Sequence, residues 1–369
     1  DPVGAGFSRA LPKALAKDAK PEDNKGRRKK ASEEFWEVGK DLASLTEFIK
    51  RYLSDEHRWL SPIYLAGESY GGYRVARLAR SLQGLDGGVG LAGVMLISPG
   101  IEFDGLLGSD YDIVHWVETL PSMAAAAHVH GKAGQGRSLA EHLEAAERFV
   151  EGDFLSLLVQ GESLDADRRS VVVSAMSELI GLDAAYIEAR SGRITREAFA
   201  RELLRAEGRY CGVHDASVSG VDPFPDRDSF QGPDPVLEGQ FSLFTMGINA
   251  QLRSRLGVRS ELDYRLFSPE AHVAWQNKQA EHLFDMQLSS LDDLRFGMAA
   301  NPHMKVLICY GYYDLVTPYY EARRLSRLMK LTDAQKEQLS TQYFAGGHMF
   351  YTYRESREAL VATVRQFCR

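Results

Sequence analysis

Cysteine is scarce in this chain: Cys211, Cys309 and Cys368 are the only three in 369 residues. That excludes a disulfide-dense scaffold and a cysteine-built zinc ribbon, leaving room for one bridge and at least one unpaired thiol. No apolar run approaches the ~18 residues of a membrane-spanning helix, so no membrane span is expected. Basic residues are in deficit, 44 Lys+Arg against 51 Asp+Glu for a net charge of −7. Nucleic acid is therefore an unsuitable partner, because phosphate binding needs a basic face. There is no P-loop, no H-E-x-x-H and no clustered Cys/His set, so neither a cofactor nor a metal is expected. Gly88-Val89-Gly90-Leu91-Ala92-Gly93 spells G-x-G-x-x-G, but it precedes a strand pattern instead of following one and reads as a loop. A leader with basic and apolar regions is also missing. The opening Asp1-Pro2-Val3-Gly4-Ala5-Gly6-Phe7-Ser8 reads as the middle of a folded protein, with upstream sequence expected to have been removed or left unrecorded.

What remains is an ordinary globular composition, 44% hydrophobic and 26% charged, long enough for two or three domains or one domain with an insertion. Lys17 to Lys30 is charged and reads as a solvated loop. From Ser32, a stripe of Phe35, Val38, Leu42, Leu45, Ile49 and Tyr52 recurs at steps of three and four, one buried helix face. Pro62 to Ala66 is a short buried-strand run. A second helical pattern follows through Val75, Leu78, Ala79 and Leu82, and then a strand at Val94–Ile97. Helix and strand alternating through short links predict an α/β fold with a mostly parallel sheet. Between about Phe103 and Leu291 the patterns become mostly helical, at Ser138–Val150, Asp167–Ile180 and Thr195–Ala206. Val213–Pro235 reads as a long loop. Strand signals return at Lys305–Tyr310 and Gln342–Phe344. The division expected is 1–102 as the first part of an α/β core, its N-terminal strands lacking, 103–291 as a mostly helical cap insertion, and 292–369 as the second part of the core.

Gly67-Glu68-Ser69-Tyr70-Gly71 matches G-x-S-x-G directly after a strand pattern and directly before a helical one. That is the setting of a nucleophile elbow, in which small flanking residues let strand and helix crowd a sharply turned serine. The helix N-terminus and the Tyr70 N–H then lie where an oxyanion would form. A bare glycine-rich βα turn is the plain alternative. A serine nucleophile needs a base, and in this arrangement the acid and then the histidine follow it in sequence. Asp314 lies just past the strand Val306–Tyr310, and His348 follows Gln342–Phe344 in Ala345-Gly346-Gly347-His348. Taken singly, Asp314 reads equally well as a helix cap, and His348 as a packed loop histidine. His303 precedes its strand and falls at the wrong end of the sheet. Tyr310, Tyr312, Tyr313, Tyr319 and Tyr320 either line a pocket or pack the strand end.

These motifs together, with Asp1–Ser8, Gly67–Gly72, the Gly311–Pro318 segment and Gly347-His348-Met349 in order along nearly the whole chain, resemble the serine carboxypeptidase family. The helical stretch between them adds no support. The resemblance implies an α/β-hydrolase with a helical cap, no cofactor, and peptides with a free C-terminus as substrates. It assigns Ser69 as nucleophile, His348 as general base and then acid, and Asp314 as the residue orienting it. It implies that Glu68 helps bind the terminal carboxylate of the substrate and that Met349 borders the leaving-residue pocket. Two close carboxylates must share a proton, which predicts a preference for acidic pH. Secretion or periplasmic location follows only by family analogy.

The family's Asn-Gly-Gly-Pro-Gly segment, source of a second oxyanion donor, is not found. Either it lies upstream of Asp1, or the chain alone is not a competent enzyme; a separate N-terminal peptide chain is a conceivable partner. With no N-x-S/T sequon, a bacterial relative is favoured over a glycosylated one. The competing expectations are an esterase, acyltransferase or aminopeptidase-like hydrolase with the same triad, and a non-catalytic binding protein using the cap cleft.

Overall fold

The computed structural model describes residues 1–11, 27, 29–103, 109–227, 230–275 and 288–369, so most of the charged stretch at Lys17–Lys30 lies outside the described residues. The chain is mixed α/β. Its larger sheet is all parallel, in the order β1-β2-β5-β6: β1 is Tyr64–Glu68, β2 Gly93–Ile97, β5 Lys305–Gly311 and β6 Leu339–Phe344. The register pairs Glu68 with Ile97, Ile97 with Cys309, and Gly311 with Phe344. The carboxyl ends of all four strands therefore align along one edge, where open parallel sheets carry their ligands.

Packing groups the chain into two units. One comprises Asp1–Pro62, Ser81–Val89 and Gln240–Leu288; the other comprises Ile63–Arg80, Gly90–Gly239 and Ser289–Arg369. One cut, between Leu288 and Ser289, falls beside the expected boundary at 291, and none falls at 102. In the first unit, α1 (Val38–Asp55) begins at Glu37, whose carboxylate accepts from the amides of Gly39 and Lys40. Trp36 Nε1 donates to the Val3 carbonyl at 3.1 Å. Val38, Leu42 and Leu53 are the apolar residues that helix buries. Tyr52, expected in the stripe, is exposed and stacks on the exposed Phe48; Leu53 takes the inward position, because a stripe repeating every 3.5 residues drifts against the 3.6-residue turn of the helix.

The second unit holds the sheet. Helix α2 (Tyr70–Gln83) buries the expected Val75, Leu78, Ala79 and Leu82. Leu307, Cys309, Phe344, Phe350 and Phe367 form a core cluster on the sheet, with Tyr64, Met95 and Ile97 packed against it. Burial of each large apolar side chain contributes about 1.5–3 kcal/mol. The helical stretch follows as α3 (Val114–Val129), α4 (Leu139–Glu151), α5 (Ala166–Ile180) and α6 (Arg196–Glu202). Helix α4 opens with a capping box in which Ser138 and Glu141 bond reciprocally. The stretch read as one long loop contains half of an antiparallel hairpin, β3 (Arg209–Cys211) with β4 (Ser219–Val221). Three-residue strands carry too little periodicity to announce themselves. Helix α7 (Tyr320–Leu328) then follows β5, and α8 (Arg354–Phe367) closes the chain.

Tyr310, Tyr319 and Tyr320 are almost wholly buried. Tyr319 sits edge-on to Tyr312 and Tyr343, donates to Glu147 of α4 at 2.9 Å, and Tyr320 donates to Glu151 at 2.6 Å. Tyr319 and Tyr320 thus tie α7 to α4, while Tyr310, on β5, bonds Glu321 of α7 and lies against Pro99. All three cysteines are free thiols, and burial pushes those of Cys211 and Cys309 up to about 12.

Candidate active site

β1 ends at Glu68 and α2 starts at Tyr70, so a single residue makes the turn. Ser69 does this with φ +56, the left-handed region that costs a non-glycine residue of order 1–3 kcal/mol. The neighbours must be small. A Cβ on Gly67 would fall 2.0 Å from the Gly71 carbonyl oxygen, and one on Gly72 would fall 2.3 Å from Pro99 Cβ. The turn is fixed by its backbone: Ser69 N–H donates to Ile97 O (2.9 Å), while Gly72 N–H (2.9 Å) and Gly100 N–H (3.3 Å) donate to Ser69 O. The Tyr70 ring stacks on Tyr73 and packs against Phe103, leaving its amide at the first position of α2, the electropositive end of the helix.

Two strands away, a Cβ on Gly311 would lie 2.1 Å from the Gly347 carbonyl oxygen, so the loops after β5 and β6 touch through their backbones. Asp314 is fully buried and uses its two oxygens differently. Oδ1 accepts from Val316 N–H (2.7 Å) and Thr317 N–H (3.0 Å), an Asx turn leading toward α7. Oδ2 lies 2.7 Å from His348 Nδ1. Asp314 does not cap α7, which starts at Tyr320 without a side-chain cap; it closes the turn before it and meets His348 with its other oxygen. The Thr317 hydroxyl lies 2.7 Å from Asp314 Oδ2, 3.0 Å from Ser98 O and 3.2 Å from His348 Nδ1. With Asp314 accepting at Nδ1, the tautomer set by this bond leaves Nε2 as the proton acceptor. Burial, the largest influence, disfavours a charged His348 imidazole, but the Asp314 charge and hydrogen bond and then the Glu68 charge outweigh it and raise its pKa.

Ser98 links the strand ends. It too is left-handed, at φ +40, and its hydroxyl donates to the His348 carbonyl at 2.8 Å. No hydrogen bond joins the Ser69 hydroxyl to the His348 ring among the described residues. Ser69 is tied to β2 through Ile97, and Ser98, one residue on, is tied to His348. Glu68 is brought to the same place: its carboxylate is close enough to His348 for each to shift the other. Burial pushes the Glu68 carboxyl up, partly offset by the Tyr351 hydroxyl, which lies 2.8 Å from both of its oxygens. Met349 is half-buried and opens the single helical turn Phe350–Thr352, its carbonyl accepting from Thr352 N–H and Oγ1.

Sequence reading missed Thr317, Tyr351, Ser98, His214 and Asp215. Thr317 had a local signal, since an Asp with Thr three residues on is a turn pattern. Tyr351, three residues past His348, sits one helical turn from it. His214 and Asp215 had none, because they reach the histidine loop from the β3–β4 hairpin, more than a hundred residues away in sequence. Among the described residues no group of three or more His, Cys, Asp or Glu is placed to hold a metal ion. A scan against protein-family models matches none, and a search of curated proteins gives no significant match.

Proposed function

We propose that this chain is a serine hydrolase of the α/β-hydrolase kind with a helical cap, and specifically a serine carboxypeptidase. The observation that carries the reading is the 2.7 Å bond from His348 Nδ1 to a buried Asp314, at the same sheet edge where Ser69 occupies a left-handed strand-to-helix turn. Ser69 Oγ attacks the scissile carbonyl while His348 Nε2 takes its proton, and Asp314 stabilises the imidazolium that forms. The Tyr70 N–H at the start of α2 faces the developing oxyanion. His348 then returns the proton to the leaving amine, and water repeats the cycle to release the acyl group.

Glu68 supports the choice of a free C-terminus. Its raised pKa keeps a proton available to share with a substrate carboxylate, an interaction lost as pH rises through that value. His348 must be neutral, which is gained as pH rises through its own pKa. The two requirements oppose each other: the shared proton leaves one negative charge on the Glu68–substrate pair beside His348, so binding of the substrate does not by itself lower the pKa of the base.

The test is a fluorophosphonate probe followed by peptide mapping, together with a blocked dipeptide offered with either a free or an amidated C-terminus. Labelling at Ser69, loss of turnover in Ser69→Ala and strong preference for the free acid are expected. Labelling with equal turnover of both substrates makes the chain an esterase or other acyl hydrolase, in which Glu68 and Tyr351 serve only each other. Absence of labelling at Ser69 overturns the hydrolase reading.

A further inference from the structure

Residues 213–217, between β3 and β4, run past both loops of the acid–base pair and bond to each. On the acid side, Leu315 N–H donates to Val213 O (3.1 Å) and Ala216 N–H donates to Tyr313 O (2.9 Å). On the histidine side, His348 N–H donates to His214 O at 2.6 Å, and Gly347 N–H donates to Asp215 Oδ2 at 2.8 Å. A Cβ on Gly347 would lie 2.2 Å from His214 O and 2.4 Å from Asp215 Cα, so only glycine permits this approach.

Asp215 is 3% exposed. An ordinary Asx turn would occupy it with Ser217 alone, whose N–H (3.0 Å) and hydroxyl (2.6 Å) donate to Oδ1. Instead its Oδ2 also accepts from Tyr353 OH at 2.9 Å, just before α8, as well as from Gly347. Both Oδ2 donors thus flank His348 in sequence. The His214 ring stands edge-on to the His348 ring at 5.8 Å, with its Nδ1 3.7 Å from Asp234 Oδ2. Burial works against the Asp234 charge, but His214 and the amides of Leu237 and Val213 prevail and hold its pKa near 2. Among the described residues, Asp314 and Glu68 act on the His348 charge, and the His214 ring stands beside it.

We propose that Asp215 is a positioning residue: through Gly347 and Tyr353 it fixes the loop carrying His348, so that the 213–217 segment sets the base relative to its acid and to Ser69. This rests on the reading of His348 as general base. Misplacing a catalytic group by about 1 Å can cost 10²-fold in rate, and no part of Asp215 need touch substrate for that.

Asp215→Ala in the full chain is expected to lower kcat about 10²-fold with KM changed less than about threefold. Asp215→Asn retains an acceptor oxygen and should recover part of the loss. Tyr353→Phe, which deletes a single donor, should lower kcat a few-fold and carries the test if Asp215→Ala does not fold. The second readout is the proton NMR resonance of His348 Nδ1–H, strongly downfield in the parent and shifted or broadened in Asp215→Ala. Parent-like kcat and an unmoved resonance in folded variants overturn the inference. If the parent itself has no activity and no Ser69 labelling, the hydrolase reading fails separately, and the resonance alone then decides whether Asp215 positions His348.

Discussion

The two halves of the candidate site are held by different means. Ser69 is fixed locally: its turn is made by one left-handed residue, glycines whose replacement would collide with neighbouring atoms, and backbone bonds to Ile97, Gly72 and Gly100. The Asp314–His348 half is fixed at long range. Thr317 contributes from the loop of Asp314 itself, Ser98 from the end of β2, and His214 and Asp215 from the one segment between β3 and β4. On the proposed hydrolase reading, the difference follows from what each group must do. A nucleophile needs only its Cβ in the right place, because its hydroxyl rotates freely to the base. An imidazole needs its tautomer, ring plane and tilt all fixed, which no local turn supplies.

If that contrast holds, damage to the long-range half should abolish rate without unfolding the chain. Asp314→Asn is the severest case. The amide keeps the turn to Val316 and Thr317 through its oxygen but presents N–H to His348 Nδ1, selecting the wrong tautomer. A loss of about 10⁴ in kcat is expected, the scale typical of that change in serine-histidine-aspartate sites, with an unfolding midpoint near that of the parent. Steady-state kinetics with thermal melts check it. A melt displaced as far as the activity would show that Asp314 acts here chiefly in holding its own turn.

Glu68 tests the seam between the halves, since it neighbours the serine in sequence and influences the histidine electrostatically. Removing its charge in Glu68→Gln takes away one of the influences raising the His348 pKa. The base form therefore appears at lower pH. The rate of Ser69 labelling by a fluorophosphonate, measured from pH 4 to 8, should keep its plateau while its acid limb moves down. Binding of free-acid peptides should meanwhile stop weakening as pH rises, since the Gln amide donates to the substrate carboxylate at every pH, while amidated peptides change little. A limb that does not move would separate Glu68 from the base.

How much was legible in the sequence follows the same division. The elbow could be read because strand, turn and helix are contiguous, so Gly67–Gly72 carries its own constraints. Asp314 and His348 could be placed because each directly follows a strand, and parallel strands bring their carboxyl ends together. The α2 stripe was legible as well, since all four of its apolar positions are buried. What set the orientation of His348 was not legible. Asp215 and His214 bond across 132 residues or more, and they sit in a stretch whose Asp, Pro and Gly content spells only a loop. Tyr52 was misassigned for a simpler reason: steps alternating between three and four repeat every 3.5 residues while the α-helix turns every 3.6, so by the last position the buried track has drifted from Tyr52 to Leu53.

The smallest expected effect concerns a carboxyl that braces both halves without entering the chemistry. Glu321 on α7 is fully buried. Its Oε2 accepts from Tyr310 OH (3.2 Å), on the strand that leads to Asp314, and its Oε1 accepts from Glu102 N–H (3.2 Å). Tyr310 OH also lies 3.4 Å from Pro99 O, and Pro99 packs beside the Gly72 of the serine turn. Burial first, and then the charge of Glu118, hold the Glu321 pKa well above the carboxylate range. In the unfolded chain the same group ionises near its ordinary value, so above that pH the native state binds the extra proton and stability declines as pH rises. Glu321→Gln mimics the protonated form and releases no proton. Its melting temperature should match the parent near pH 4.5 and exceed it by roughly 2–4 °C at pH 8, the shift about 1 kcal/mol gives in a domain of 150–250 residues. Labelling of Ser69 should stay at the parental rate at both pH values. Scanning calorimetry and probe kinetics on the same preparations make the comparison. A gain that is constant with pH would mean Glu321 is ionised in the native state, and a fall in labelling would move it from brace to participant.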